Sequence, residues 1–478
     1  MKKWFGILFT VLFACMASVA MAETKGKSGN FSYSIKGNGT AVITGYDWEN
    51  STGDVYVPSM IDGYTVTSIG DEAFMIYNEK IKSGWEYTPA YNIHLPDTIT
   101  SIGNKAFFGA HISGINIPNS VVQIGEGAFA NCFLLKGFSV PSSHSIYTTI
   151  DGVLYDKTKK ELVCWPLRLM RDAKKLTIPN GIVRIGAYAL YGGWTVEEAK
   201  NSDSDHHSVW FTSVTIPDTV RYFGDYSFYG WRIIEKFDVK SKSIDYIGKY
   251  AFAHTRFDNG TEFPSVNEMG EYAFAYSNWL VGCKITFENV SVIPEGAFSW
   301  SYVKIMGKIH EVGKDAFLGS DLKVPDLSEC TFIGENAFYN AKIDGTNSGG
   351  PLIINCDISA GAFQYCNKPA GPYSHEIEVS FGEKCTYIGD EAFLYANLST
   401  TKALEIPDTV KYVGTNTFKG CQCKEFILSD GIEFIGDNAF EKSGVTLYVN
   451  SESYAEFWCN ENGCNIKING EEDLSWLN

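Results

Sequence analysis

The sequence predicts a repeat solenoid, one elongated β-rich domain of stacked coils in which parallel strands are joined by short helical or 3-10 turns. Three observations lead there. A six-residue pattern, apolar then Gly-x-x-Ala-Phe, recurs 14 times along the 478 residues. Nine of the 13 intervals between its last residues lie between 19 and 25 residues. Pro-Asp or Pro-Asn turns flanked by β-branched residues stand between many of the copies. Self-similarity at that period marks a chain whose coils bury an apolar face only by stacking on their neighbours.

The chain begins with Lys2 and Lys3, an apolar stretch from Trp4 to Ala14, and Ala20-Met21-Ala22 just before Glu23. This reads as a secretory signal peptide over 1–22, cleaved after Ala22. The apolar run is shorter than the roughly 20 residues that a membrane span requires, and no later segment supplies one. Residues 23–55, with Phe31-Ser32-Tyr33-Ser34-Ile35 and Thr40-Ala41-Val42-Ile43-Thr44, predict a capping hairpin. Repeats then fill 56–445, and 446–478, with Leu447-Tyr448-Val449 as its strand, closes the far end. A solenoid needs such caps to hide its terminal apolar faces.

Each column of the repeat has a physical reason. Glycine fills the second motif position in 12 copies, with Pro294 and Ser359 as exceptions, which suits a sharp bend or a close approach to the next coil. Alanine is next to last in 12 copies, with Ser227 and Thr417 as exceptions, and its methyl leaves room for the following ring to stack on the next coil's ring. Eight residues before the Phe lies an apolar column, including Val66, Ile99, Val121, Ile244 and Val410, whose β-branched character predicts a strand. Segments such as Ile216-Pro217-Asp218-Thr219-Val220 end one strand and turn into another. At a strand spacing of about 4.8 Å, the coils would make a slab about 65 Å long. Insertions interrupt the rhythm near 76–92, 130–175 and 193–212. Such breaks usually become loops on one side.

The composition excludes several functions. The 39 basic and 56 acidic residues give a formal charge of −17, and loss of a leader carrying Lys2 and Lys3 would take it to −19. No basic footprint for a phosphate backbone exists, so no nucleic-acid partner is expected. Among the cysteines, Cys132, Cys366 and Cys421 occupy a column of small residues three after the Phe, and Cys330 and Cys385 fall in the Val/Ile column. All five read as small core residues, since zinc spacings are lacking. Cys459 and Cys464, in the closing cap, read as a possible disulfide. The run Asp203-Ser204-Asp205-His206-His207 has cation-binding side chains, yet a solvated loop explains it better. No His-Glu-x-x-His, Gly-x-Ser-x-Gly or phosphate-loop motif occurs, so neither an enzyme nor a cofactor is expected.

The apolar-Gly-x-x-Ala-Phe motif with its Ile-Pro-Asp-Thr-Val turn resembles the BspA-type leucine-rich repeats of bacterial surface proteins. Val57-Pro58-Ser59-Met60-Ile61-Asp62-Gly63, leading into Val66-Thr67-Ser68-Ile69-Gly70, and Asp151-Gly152-Val153-Leu154-Tyr155-Asp156 extend the likeness over nearly all of the mature chain. The resemblance implies a leucine-rich-repeat solenoid, β-rich and horseshoe-like, on a secreted or cell-surface protein. It also implies adhesin-like binding to an extracellular protein, such as a host matrix or cell-surface component. Neither a sorting signal nor a separate anchoring domain is visible, which leaves the mode of attachment open.

Two columns offer surfaces for such binding. Two residues after the Phe stand Tyr276, Trp300, Tyr365 and Tyr395, which would line one edge if exposed and could equally pack over the turn. Between paired strand apolars lie Asn116, Ser139, Thr177, Thr215, Asp238, Thr286, Glu378 and Glu405, a row that alternation points to solvent and that turns acidic toward the C-terminus. Flat aromatics would also suit sugar rings, so carbohydrate binding is the alternative. For the leader, the intact mass of the secreted protein should start at Glu23. A diacylglyceryl adduct on Cys15 would reveal a lipoprotein signal instead.

Overall fold

A computed structural model describes residues 24–469 apart from 52, 77–89, 193–209, 258–260, 278–283, 325, 347–349, 368–375, 400–401 and 442–443. The expected signal peptide over 1–22, most of the expected insertions at 76–92 and 193–212, and the Asp203-to-His207 run lie outside the described residues. The chain forms a parallel β-solenoid. Each coil contributes a longer strand, such as Leu404–Ile406 or Glu425–Leu428, and a two-residue strand just before the motif glycine, such as Tyr412–Val413 or Phe434–Ile435. Longer strands pair in parallel with those of neighbouring coils, and short strands do likewise. In Leu404–Ile406 the two apolar side chains are buried and Glu405 is exposed, as a strand with one buried face requires.

The motif turn differs from the expected helical or 3-10 winding. Its fourth residue is left-handed in every copy, with φ between 51° and 63°, from Lys105 at the low end to Gly127 and Gly361 at the high end. Around Phe228 the N–H groups of Tyr226, Phe228 and Gly230 donate to the carbonyls of Lys249, Ala251 and Ala253 in the next coil, at 2.9, 2.7 and 3.0 Å. The intervening N–H groups of Ser227 and Tyr229 close local turns onto Gly224 and Tyr226. A helix directs every N–H along its own axis. Alternating the backbone hand instead sends every second N–H sideways, so the turns form a third hydrogen-bonded stack beside the two sheets.

That stack sets the spacing of the core. Phe74 and Phe107 lie 4.7 Å apart, Phe274 and Phe298 5.7 Å, and Phe363 and Phe393 5.1 Å, with nearly parallel rings. The ladder is closed by other aromatics at both ends. Phe31, Tyr46 and Trp48 surround Phe74 in the N-terminal sheet, while Trp458, on the closing helix Tyr454–Asn462, meets Phe440 edge-on. Glycine is required at Gly103 by contact, because a Cβ there would stand 2.5 Å from the Asp71 backbone nitrogen of the preceding coil. Within 130–175 the strands Tyr147–Ile150, Val153–Asp156 and Glu161–Cys164 run antiparallel, and the last joins the short-strand sheet beside Arg184–Ile185. The two main clusters of the core, Tyr33 to Cys164 and Phe133 to Cys459, meet at this insertion.

The small column three residues after the Phe carries more than small size. Ser277 Oγ and Thr255 Oγ1 donate to the carbonyls of Phe252 and Phe228 in the preceding coil, at 2.7 and 2.6 Å. Cys132 and Cys366 place their thiols in the same role on Phe107 and Phe338, each at 2.9 Å. Burial pushes Cys132 and Cys366 up, and Cys385 and Cys421 up to about 12. Cys330 differs because the neighbouring Cys356 thiol hydrogen-bonds to it and lowers it. Cys459 is buried and pushed up to about 12 chiefly by that burial, and Cys464, its expected disulfide partner, is half-buried. No group of three or more His, Cys, Asp or Glu able to hold a metal ion occurs among the described residues.

Two outcomes follow from this packing. Phe274→Ala removes a ring stacked between Phe252 and Phe298 and should cost about 3 to 5 kcal/mol, read as a shift of the urea midpoint. A shift equivalent to less than about 1 kcal/mol would show that the ladder is not the core. Cys132, Cys330, Cys366, Cys385 and Cys421 should resist a thiol reagent until denaturant is added, as burial predicts. Rapid native labelling of any of them contradicts this packing. Non-reducing peptide mapping shows in the same experiment whether Cys459 and Cys464 cross-link after secretion.

Candidate functional site

The candidate edge is built by the same turn. Two residues after the Phe the backbone is again left-handed, at Gly109, Gly230, His254, Tyr276, Trp300, Gly319, Asn340, Tyr365, Tyr395 and Gly420 among others. The reason is the inter-coil ladder: the N–H groups of Tyr276, Trp300, Tyr365 and Tyr395 donate to Ser299, Leu318, Leu394 and Lys419 of the next coil at 2.7 to 3.0 Å. Glycine and asparagine adopt this conformation readily, whereas other L-residues lose about 1–2 kcal/mol. Bulky aromatics at such a position are therefore outliers.

The four residues share one column of one edge, in two pairs separated by the coils of Gly319 and Asn340. Tyr276 and Tyr395 are exposed at 45% and 42%, and Trp300 and Tyr365 are half-buried. Tyr276 stacks on His254 at 4.8 Å, and Tyr365 on Tyr395 at 5.4 Å, with Tyr339 edge-on to Tyr365. Trp300 and Tyr395 lie over the glycines of the following coil. A Cβ at Gly319 would stand 2.6 Å from the Trp300 ring, and one at Gly420 2.4 Å from that of Tyr395.

Sequence reasoning missed a double aromatic ladder, to whose second rail Tyr276 belongs. Tyr188, Tyr226, Tyr250 and Tyr272 occupy the fourth motif position of four consecutive coils and stack at 4.7, 5.0 and 5.0 Å. Beside them Tyr191, Tyr229, His254 and Tyr276 form a second rail. Burial pushes Tyr188 and Tyr226 up, and Tyr229 up to about 12, while it lowers His254 to about 4 and so keeps its imidazole neutral near pH 7. Tyr272 is raised chiefly by donating its hydroxyl to Glu295 at 2.7 Å. The signal was visible as a tyrosine at one motif position in four successive copies. It fell between the Gly and Ala columns on which the alignment rested.

A further aromatic row, Tyr387, Tyr412 and Phe434, stacks at 4.7 Å on the outer face of the short strands. On the longer strands, Asn116 pairs with Ser139, and Thr177 with Thr215, which pairs in turn with Asp238. The acidic row needs one correction. Ser380, not Glu378, faces Ile353 in register, so Glu378 lies one outward position before the expected row.

The repeat architecture agrees with one family model. The family model of the BspA-type leucine-rich repeat region matches in six copies over 67–159, 170–302, 241–344, 299–369 and 386–457. Curated proteins give no significant match. Among solved structures, a leucine-rich repeat protein from Bacteroides ovatus is 19% identical, with 93% of this chain and 99% of that one covered and a TM-score of 0.42. A leucine-rich cell surface protein from Faecalibacterium prausnitzii is 19% identical over 59% of this chain and 94% of its own, with a TM-score of 0.31. The pneumococcal vaccine antigen PcpA is 12% identical over 93% and 98%, with a TM-score of 0.29. The repeats matched by the family model span most of the sequence, and the chain belongs to the BspA-type leucine-rich-repeat family.

Proposed function

We propose that this chain is an extracellular interaction protein that docks another protein along its turn edge, with Tyr276, Trp300, Tyr365 and Tyr395 as the anchors. One observation carries the reading: large aromatics occupy left-handed backbone positions that glycine or asparagine would fill without strain. Such outliers persist where the surrounding structure over-determines them, and they cluster at functional sites. Tyrosine and tryptophan are the usual anchors of protein interfaces. Rings held in stacks lose little freedom on binding. Export by the 1–22 leader would place this edge before a host matrix or cell-surface component, in keeping with the family resemblance. Among the described residues no helix is long and apolar enough to cross a membrane.

The carbohydrate alternative ranks second for a geometric reason. Sugar rings would stack on open aromatic faces, and here Tyr276 gives a face to His254, Tyr365 and Tyr395 give theirs to each other, and Trp300 covers Gly319. What the edge mainly offers is ring rims and hydroxyls, which suit an uneven protein surface.

The test replaces Tyr276, Trp300, Tyr365 and Tyr395 together by Asn, which accepts the left-handed backbone. Binding to a panel of extracellular matrix proteins, measured beside a glycan array, should weaken at least about thirtyfold, or about 2 kcal/mol. The urea midpoint should stay within the equivalent of about 1 kcal/mol, since relieved strain offsets lost stacking. Unchanged affinity in the folded variant, or retention of glycans alone, overturns the proposal.

A further inference from the structure

Among the breaks in the row of longer strands, one lies between Val379–Phe381 and Leu404–Ile406. Val379–Phe381 pairs with Leu352–Ile354, and Leu404–Ile406 pairs with Glu425–Leu428, but these two neighbours do not pair with each other. The later coil joins early instead: Leu398 bridges Ile377, and the Ser399 N–H donates to the Ile377 carbonyl at 2.8 Å. Among the described residues, strand pairing resumes at Leu404. Between the parted strands lies a groove of about 320 Å³. Val379, Phe381, Leu404 and Pro407 line its apolar part, and Glu378, Glu405 and Lys402 stand among its polar residues.

Charge decides what fits. Lys402 Nζ lies 3.7 Å from Glu378, and with its side chain 80% exposed this ion pair is worth little and is readily displaced. Glu405 has no ion-pair partner among the described residues. The site thus already holds a cation at one carboxylate and leaves a second carboxylate open, above an apolar floor. A long aliphatic stem with a planar cationic head matches both features. The volume is at the small end for a ligand site and suits one side chain better than a folded segment.

We propose that this groove anchors an arginine side chain projecting from a protein partner. Its stem lies against Phe381 and Leu404, and its guanidinium takes Glu405 and Glu378 in place of Lys402. This surface belongs to the sheet face, so it stands or falls separately from the aromatic edge.

The experiment titrates the full mature protein with the capped peptide Gly-Leu-Arg-Leu-Gly and with its citrulline isostere, which keeps the shape and loses the charge. Calorimetry at low salt should show saturable binding of the arginine peptide, at least about tenfold tighter than the citrulline peptide. Glu378→Gln with Glu405→Gln should lose about tenfold, and Lys402→Ala should gain about threefold because the internal competitor is gone. All three side chains are exposed, so these variants fold, and circular dichroism checks it. No saturable binding up to about 10 mM, equal binding of both peptides, or an unaltered double variant overturns the proposal.

Discussion

The motif Phe residues from Phe228 to Phe418, like Phe74 and Phe107, donate their backbone N–H to the next coil, and the rest of the solenoid depends on that bond. At Phe107, Phe252 and Phe317 the acceptor is the alanine carbonyl of the following coil, at 2.7 to 2.8 Å. The bond holds successive turns at one ring thickness, which lets the Phe rings stack. It also explains the neighbouring columns. Releasing the Phe N–H from its own coil requires a change of backbone hand two residues earlier. The Phe carbonyl, turned toward the following coil, then takes a hydroxyl or thiol from that coil's small column. Glycine is needed where two such turns approach closely. Backbone polar groups and apolar rings are thus satisfied by one geometry, as a buried turn demands.

The same geometry creates the surface. A turn with two left-handed residues per coil presents side chains in straight rows, one step per coil, so any residue type repeated in register becomes a ladder. Tyr188, Tyr226, Tyr250 and Tyr272 form one, and Tyr387, Tyr412 and Phe434 another. Such rows are rigid because each ring is held by its neighbours. They differ from the sheet face, where the parted strands near Glu405 open a recess of a kind the rows lack. The molecule therefore offers two chemistries, a line of rims and hydroxyls and a small acid-edged recess.

Part of the candidate site was legible in the repeat. The column of Tyr276, Trp300, Tyr365 and Tyr395 follows from counting two residues past the Phe, and counting suffices because coils stack in register. The strain at that column was not legible. Gly230, Gly319 and Asn340 share it and signal a left-handed turn only once φ is known. The acidic row was mis-registered at Glu378 because alternation specifies a face and not a partner, and the partner depends on where the strands begin to pair.

By itself the sequence determined the solenoid, the apolar columns and the residues that recur at each turn, since a periodic pattern can bury its apolar face only by stacking like on like. Tertiary structure decided what the pattern leaves open: the alternating hand of the turn, the donor role shared by Ser, Thr and Cys, and the parting of the sheet beside Leu404. The physical reason is that periodicity encodes which side chains face inward. The direction of each N–H and the register between coils arise only when one coil lies against the next.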